Sequence, residues 1–369
     1  MVKRQVSPQA PLGVGLRLSA IAAKALDAPA ELDALRGFLD SEQLYVFTIN
    51  GFPYGPFHGE RVKEQVYAPD WRAPERLAYT DRLAGLLASL LPDDQPGLTG
   101  SVSTVPGAFL DAASCLGARE AIADALLRHA AHLALLEGST GRRITLALEP
   151  EPMCLMETTA EAVGFFEDHL FTSRAAGRFA ALSGCAPSQA ETLLRRHLGL
   201  CLDVCHAAVE FETPADSLAS LNGAGVAVMK LQLSSALVVP RMDAAAAAML
   251  RRFDDGVYLH QVVERGPDGL VRFLDLPEAL ATWHGNGVHG QEWRVHCHVP
   301  VFHDAPLDRF ATTQPTLLDM LARQRDDGIS PHLEIETYTW DVLPPELRAG
   351  GLDAAIAREI AWVRDRLAA

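Results

Sequence analysis

Long hydrophobic runs are missing from this chain. Across 369 residues no apolar stretch approaches the roughly 20 that a membrane-spanning helix needs, and mean hydropathy is only +0.07. Direct membrane insertion is therefore not expected. Basic charge is also short: 32 Lys and Arg face 47 Asp and Glu, for a net charge of −15 and a pI near 5.3. Such an acidic balance repels phosphate backbones, so nucleic acid is not an expected partner. The six cysteines (Cys115, Cys154, Cys185, Cys201, Cys205 and Cys297) include no CxxC pair. Several lie in strand-like runs, so they read as buried reduced thiols rather than disulfides or zinc ligands. The opening "MVKRQVSPQAPLG" has two cations but no apolar stretch behind them, so no secretory leader is expected and a cytoplasmic protein is. Aromatic residues make up only 7% of a sequence rich in Ala and Leu, which suits an α/β composition.

What is present is a regular alternation. Eight strand-like runs stand out: "VGLRLS" (14–19), "LYVFTIN" (44–50), "GSVSTV" (100–105), "ITLALEP" (144–150), "GLCLDVCH" (199–206), "VAVMKLQLSS" (226–235), "WRVHCHVPV" (293–301) and "HLEIETYTW" (332–340). They are short, bounded by Gly, Pro or Asn, and nearly continuous in apolar residues, as strands buried on both faces are. Ala/Leu-rich stretches with helical spacing lie between them, with Thr159 as a candidate N-cap and Gly138 as a candidate stop. Strict strand–helix alternation implies parallel pairing with right-handed crossovers, and eight units predict an α/β fold of the (β/α)8 TIM-barrel type. A doubly wound open sheet is the alternative, but no GxGxxG follows the first strand. Long connections follow strand two (51–71) and strand six (238–275), either lids or insertions with structure of their own. No linker composition or repeat divides the chain, which predicts one domain over 1–369.

Polar residues collect where the strands end. Strand four ends with Glu149 and Glu151, strand five with Asp203 and then His206, and strand six with Lys230 and Gln232. Strand seven carries His296 and His298, and strand eight Glu334 and Glu336. Members of each i, i+2 pair share a face, roughly 7 Å apart along the strand. In a parallel barrel the C-terminal strand ends gather the chemistry. Carboxylates converging there would repel one another and lose solvation, a penalty that a divalent cation removes. Carboxylates with a His or an amide oxygen suit Mn²⁺, Mg²⁺ or Co²⁺, and also Zn²⁺. Asp203 is the leading ligand candidate, set against a buried Asp paired with Arg or backbone amides. Glu149 has Glu151 as its rival and Glu336 has Glu334. Gln232 reads either as a ligand or as a bridge between loops. His206 and His298 read as outer ligands or as holders of a substrate hydroxyl, and His296 and Lys230 equally as satisfied core residues.

These blocks resemble the xylose-isomerase-like TIM barrels, which include sugar isomerases, ketose 3-epimerases and, more distantly, endonuclease-IV-type enzymes. The resemblance rests on "LEP" ending strand four, "LDVCH" at strand five, a polar residue on strand six and a Glu near the end of strand eight. A closer resemblance is to the EboE-type metabolite traffic proteins, through "NGFPYGPFHGERVKEQVYAPDW", "LALEPEP", "LCLDVCHAAVEFE", "KLQLSSAL", "HCHVPVF" and "EIETYTWDVLP", blocks that span 50–344. It implies a divalent metal held by Glu149, Asp203, Gln232 and Glu336, with His206 on substrate. The chain departs from the epimerases at Gln232, where they carry His. An isomerase or epimerase of this kind acts on a small polyhydroxylated or cyclitol-like metabolite, and proteins of the same pathway are expected partners. Glu149 and Glu336 would exchange a substrate proton, with Glu151, Glu334 or Glu157 as alternative carriers. His206 and His298 would orient hydroxyls. Phe52, Tyr54 and Phe57 would form an apolar wall, with His58 a polar contact. Two other readings are kept: a non-catalytic metabolite-binding or escort protein, and a metal-dependent phosphoester hydrolase.

Overall fold

The computed structural model describes residues 1–55, 63–110, 115–286, 291–305 and 307–369. Six strands open the main sheet in chain order: β1 (Leu12–Arg17), β2 (Leu44–Asn50), β3 (Gly100–Thr104), β4 (Ile144–Leu148), β5 (Leu198–Asp203) and β6 (Val228–Leu233). Every residue of β3, β4, β5 and β6 is buried, which is why those runs are apolar throughout. Each strand pairs in parallel with the next, and helices such as Pro74–Leu90 and Ala118–Thr140 make the crossovers.

After Leu233 the chain leaves this sheet. β7 (Ala236–Val239), β8 (Val262–Gly266), β9 (Gly269–Phe273), β10 (Glu292–His298) and β11 (Ala311–Thr312) form an antiparallel sheet in the order β11-β7-β10-β8-β9. The connection expected after strand six thus has structure of its own. The expected seventh strand, "WRVHCHVPV", also belongs here, because β10 pairs antiparallel with β7 and β8. A two-sided apolar run reads the same in either sheet, so the sequence pattern could not tell them apart.

β12 (Leu333–Ile335) returns to pair in parallel with β6 and completes seven parallel strands in the order β1-β2-β3-β4-β5-β6-β12. The two free edges face each other. A Cβ on Gly15 of β1 would lie 1.7 Å from Glu334 Oε1 of β12, so only glycine permits this approach. The result is an α/β fold around a nearly closed parallel barrel, as the alternation predicts.

Two helix ends differ from expectation. Thr158, not Thr159, caps the helix after β4: its hydroxyl accepts from Glu161 N at 3.2 Å while Glu161 Oε2 accepts from Thr158 N at 3.1 Å. Thr159 instead donates its backbone N–H and its hydroxyl to Glu212. Gly141, in the left-handed conformation, ends the helix before β4, while Gly138 lies inside it. All six cysteines are free thiols, and four of them are buried.

Candidate metal centre

Asp203 is the last residue of β5 and the N-cap of the short helix Val204–Val209. Its two oxygens face different surroundings. Oδ1 accepts from Ser234 Oγ (2.6 Å), Cys205 N (2.7 Å) and His206 N (3.1 Å). Oδ2 is buried with no hydrogen-bond partner. A carboxylate inside an apolar strand is therefore anchored through one oxygen and presents the other. Burial alone would raise its pKa, but His206, the Ser234 hydroxyl and the His206 amide outweigh burial and hold it below the ordinary value.

Glu149 directly follows β4, and Glu336 directly follows β12. Each offers an oxygen such that Glu149, Asp203 and Glu336 have donor atoms within 4.8 Å of one another. Glu149 Oε2 is also buried and unpartnered, while Glu336 Oε1 accepts from Asn50 Nδ2 at 3.2 Å. The cost of this convergence shows in the acidities. Burial, with Asp203 and Glu151 nearby, pushes Glu149 up to about 7, and burial with Glu149 and Asp203 pushes Glu336 well up too. Gln232 is the register partner of Asp203 across β5 and β6, so their side chains share the inner face. It is fully buried, and neither amide atom has a hydrogen-bond partner.

Three histidines stand beside this group, and their partners assign their protons. His206 Nδ1 faces the carbonyl of Pro150 at 2.9 Å, an acceptor, so Nδ1 carries hydrogen. His296 Nδ1 lies 2.8 Å from Gln261 Oε1, an orientation fixed because Gln261 Nε2 donates to Tyr67 Oη and to Pro152 O. His296 Nδ1 therefore carries hydrogen. The two Nε2 atoms of His206 and His296 meet at 3.0 Å, so one of the two rings carries a second hydrogen. Burial would lower the His206 pKa, yet Asp203, Glu151 and Glu149 raise it overall, whereas burial and the His206 charge push His296 well down. His298 Nδ1 faces the Glu336 carbonyl at 2.9 Å, and its Nε2 is buried and unpartnered. Burial lowers His298 to about 4, so it is neutral.

The remaining sequence candidates fall into distinct places. Glu151 lines the same cavity but accepts from Tyr67 Oη at 2.7 Å, and it has donor atoms within 4.8 Å of those of His206 and His296. Lys230 and Glu334 pair with each other at 2.5 Å inside the bore, with Lys230 fully buried. Glu157 accepts from Met153 N at 2.6 Å and lies 3.5 Å from Arg272. Phe52 lines the cavity, whereas Tyr54 packs edge-on to Tyr79 with ring centroids 5.1 Å apart. Phe57 and His58 lie outside the described residues. Sequence reasoning missed Asn50, Tyr67, Ser234 and Gln261. Asn50 ends β2 and could have been found by the strand-end rule applied above, but nothing local marks Tyr67 or Gln261. The cavity lined by Asn50, Tyr67, Glu149, Glu151 and Glu336 is about 480 Å³ and is also bordered by Arg17, Tyr258 and Tyr338.

The donor set fits a hard-to-intermediate divalent cation. Four buried atoms without partners, Glu149 Oε2, Asp203 Oδ2, Gln232 Oε1 and His298 Nε2, are the kind a folded chain rarely leaves unmet. Cys205 has a donor atom within 4.8 Å of those of His296 and His298, and burial raises its pKa well above the ordinary value.

No protein-family model and no curated protein matches the chain. Solved structures do. A xylose isomerase domain protein from Planctomyces limnophilus is 14% identical over 97% of this chain and 99% of its own, with a TM-score of 0.47. The IolI protein, described with a binding zinc atom, is 15% identical over 96% of this chain and 88% of its own, with a TM-score of 0.46. The probable 3-DHS dehydratase AsbF from Bacillus anthracis is 13% identical over 74% of this chain and 79% of its own, with a TM-score of 0.35. Likeness at this level says nothing about ligand or reaction, and the barrel stands on its own strand order.

Proposed function

We propose that this chain is an EboE-like metabolite traffic protein that works as a divalent-metal isomerase or epimerase of a small polyhydroxylated or cyclitol-like metabolite, a chemistry drawn from the xylose-isomerase-like barrels its strand-end residues resemble. The observation that supports this most is the meeting of Glu149, Asp203 and Glu336 at one end of the barrel, with Glu149 Oε2 and Asp203 Oδ2 buried and unmet. Glu149, Asp203, Gln232 and Glu336 would hold the cation. A bound divalent ion supplies Lewis acidity, drawing electrons from a carbonyl oxygen and so acidifying the neighbouring C–H.

The chain's own residues do the rest. Glu149 and Glu336 sit after different strands and both border the cavity, so one carboxylate takes the proton and the other returns it. His206 Nε2 turns towards a substrate oxygen when its contact with His296 opens, and the Glu151–Tyr67–Gln261–His296 chain holds that ring in place. Phe52 gives the cavity an apolar side that keeps water from the exchanging proton.

The test is proton exchange. The Mn²⁺-loaded protein is incubated in D₂O with a panel of ketoses and keto-cyclitols and followed by NMR. Deuterium should enter at the carbon beside a carbonyl with wild type and fail to enter with Glu149→Gln. Binding of a panel member without any exchange would favour a metabolite-binding or escort role instead.

A further inference from the structure

We propose that His298, carried by the antiparallel sheet, is the nitrogen ligand of the cation site. It rests on the metal reading above and supplies what β6 lacks, because Gln232 offers only an amide.

Three histidines lie close enough to be that ligand, and their hydrogen bonds separate them. A metal needs a ring nitrogen with a free lone pair. Both nitrogens of His206 are engaged, Nδ1 with the Pro150 carbonyl and Nε2 with His296. Both nitrogens of His296 are engaged too, Nε2 with His206 and Nδ1 with Gln261. His298 alone of the three keeps a lone pair unengaged. Its Nδ1–H is directed at the Glu336 carbonyl, and Nε2 is buried with no partner. The residue itself is 0% exposed.

The backbone is arranged to deliver this ring. His298 ends β10 and pairs with Ala236, while Val295 pairs with Leu237, the very next residue of β7. The irregularity between them re-aims the strand end, a common device beside functional sites. His298 shares with Asp203 a group of donor atoms within 4.8 Å of one another. Its second nitrogen is tied to the backbone of Glu336, another proposed ligand, so one hydrogen bond orients two donors.

Pulsed electron paramagnetic resonance on the full chain loaded with Mn²⁺ tests this directly. Wild type should show ¹⁴N modulation from a coordinated imidazole, absent in His298→Gln and retained in His206→Gln. A ligand role also predicts selectivity, because imidazole suits Zn²⁺ and not Mg²⁺. His298→Gln should weaken Zn²⁺ on the order of 100-fold and Mg²⁺ by no more than about 10-fold, whereas a structural defect would weaken both alike. If wild type binds Mn²⁺ but shows no imidazole nitrogen, or if the modulation survives in a folded His298→Gln, this assignment is overturned and the metal reading stands. Should His298→Gln not fold, the wild-type spectrum decides alone. If wild type binds no divalent ion, both fall.

Discussion

Carboxylates in two parts of the same barrel are treated in opposite ways. In the bore, Glu334 meets the Lys230 ammonium at 2.5 Å, and Lys230 also donates to Ser103. At the strand ends, Glu149, Asp203 and Glu336 have donor atoms within 4.8 Å of one another. Asp203 is met by three neutral donors on one oxygen, while the other has no hydrogen-bond partner and stands 3.9 Å from His206 Nε2. The chain places a lysine beside Glu334, whereas the three strand-end carboxylates have the His206 ring as their nearest basic partner. Three carboxylates against one imidazole leave an excess of negative charge, which on the proposed reading a cation from outside the chain balances.

Removing a carboxylate from the second set should have the largest effect. Asp203→Asn keeps the shape but loses the charge, and metal affinity should fall by more than the ~10–100-fold that losing an outer hydrogen bond costs. Elemental analysis after dialysis checks this, and wild-type stoichiometry in the variant would remove Asp203 from the ligand set. Breaking the first set should behave differently. Lys230→Met strands Glu334 beside a bore that was neutral, at about 3 kcal/mol of stability, the low end for a broken buried pair because Glu334 is partly exposed. Denaturant melts should show that loss with metal stoichiometry unchanged, and Lys230→Met/Glu334→Gln should recover most of it.

The first set and the second were not equally legible in the sequence. Spacing alone brought Glu149, Asp203 and Glu336 to one end of a barrel, because strand ends have a fixed address in a parallel sheet. It put Glu334 beside Glu336 as a rival, since a period of two cannot say how deep in the bore a side chain sits. Both border the cavity, but their partners differ: Glu334 meets Lys230, while Glu336 lies with Glu149 and Asp203. β10 was read as a barrel stave, because burial on both faces writes the same apolar run in either sheet. Gln261 and Tyr67 were invisible, since their roles exist only once the antiparallel sheet packs against the loop after β2. The proton positions on His206, His296 and His298 belong to tertiary contacts that no local pattern encodes.

A third way of burying a carboxylate sharpens the contrast. Glu359, on the helix Leu352–Ala368, is 2% exposed and accepts from Val301 N at 3.1 Å and Thr337 Oγ1 at 2.7 Å. With neutral donors only, burial lifts its pKa from 4.5 to about 7. The folded protein therefore holds this proton more tightly than the unfolded chain does. The associated stability is present below pH 4.5 and is lost as pH rises through 7. Glu359→Gln cannot lose a proton, so relative to wild type it should gain up to about 3 kcal/mol between pH 5 and pH 8. Urea melts at the two pH values measure the difference, and parallel profiles would mean that Glu359 is ionised in the folded state throughout.

The smallest expected effect is also the most discriminating. Ser234 donates to Asp203 Oδ1 at 2.6 Å and accepts from Cys205 N at 2.9 Å, so it fixes which oxygen of Asp203 is held and which is presented. Ser234→Ala leaves Asp203 its charge and two backbone donors, but lets the carboxylate rotate. If the strand-end carboxylates exist to receive a cation, that looseness should cost ~10–100-fold in Mn²⁺ affinity by calorimetric titration. A serine that merely fills the core would instead lower thermal stability and leave affinity untouched. The bore offers the control: Ser103 hydrogen-bonds Lys230 at 3.3 Å, and Ser103→Ala should not move metal affinity, because there the charge already has its partner.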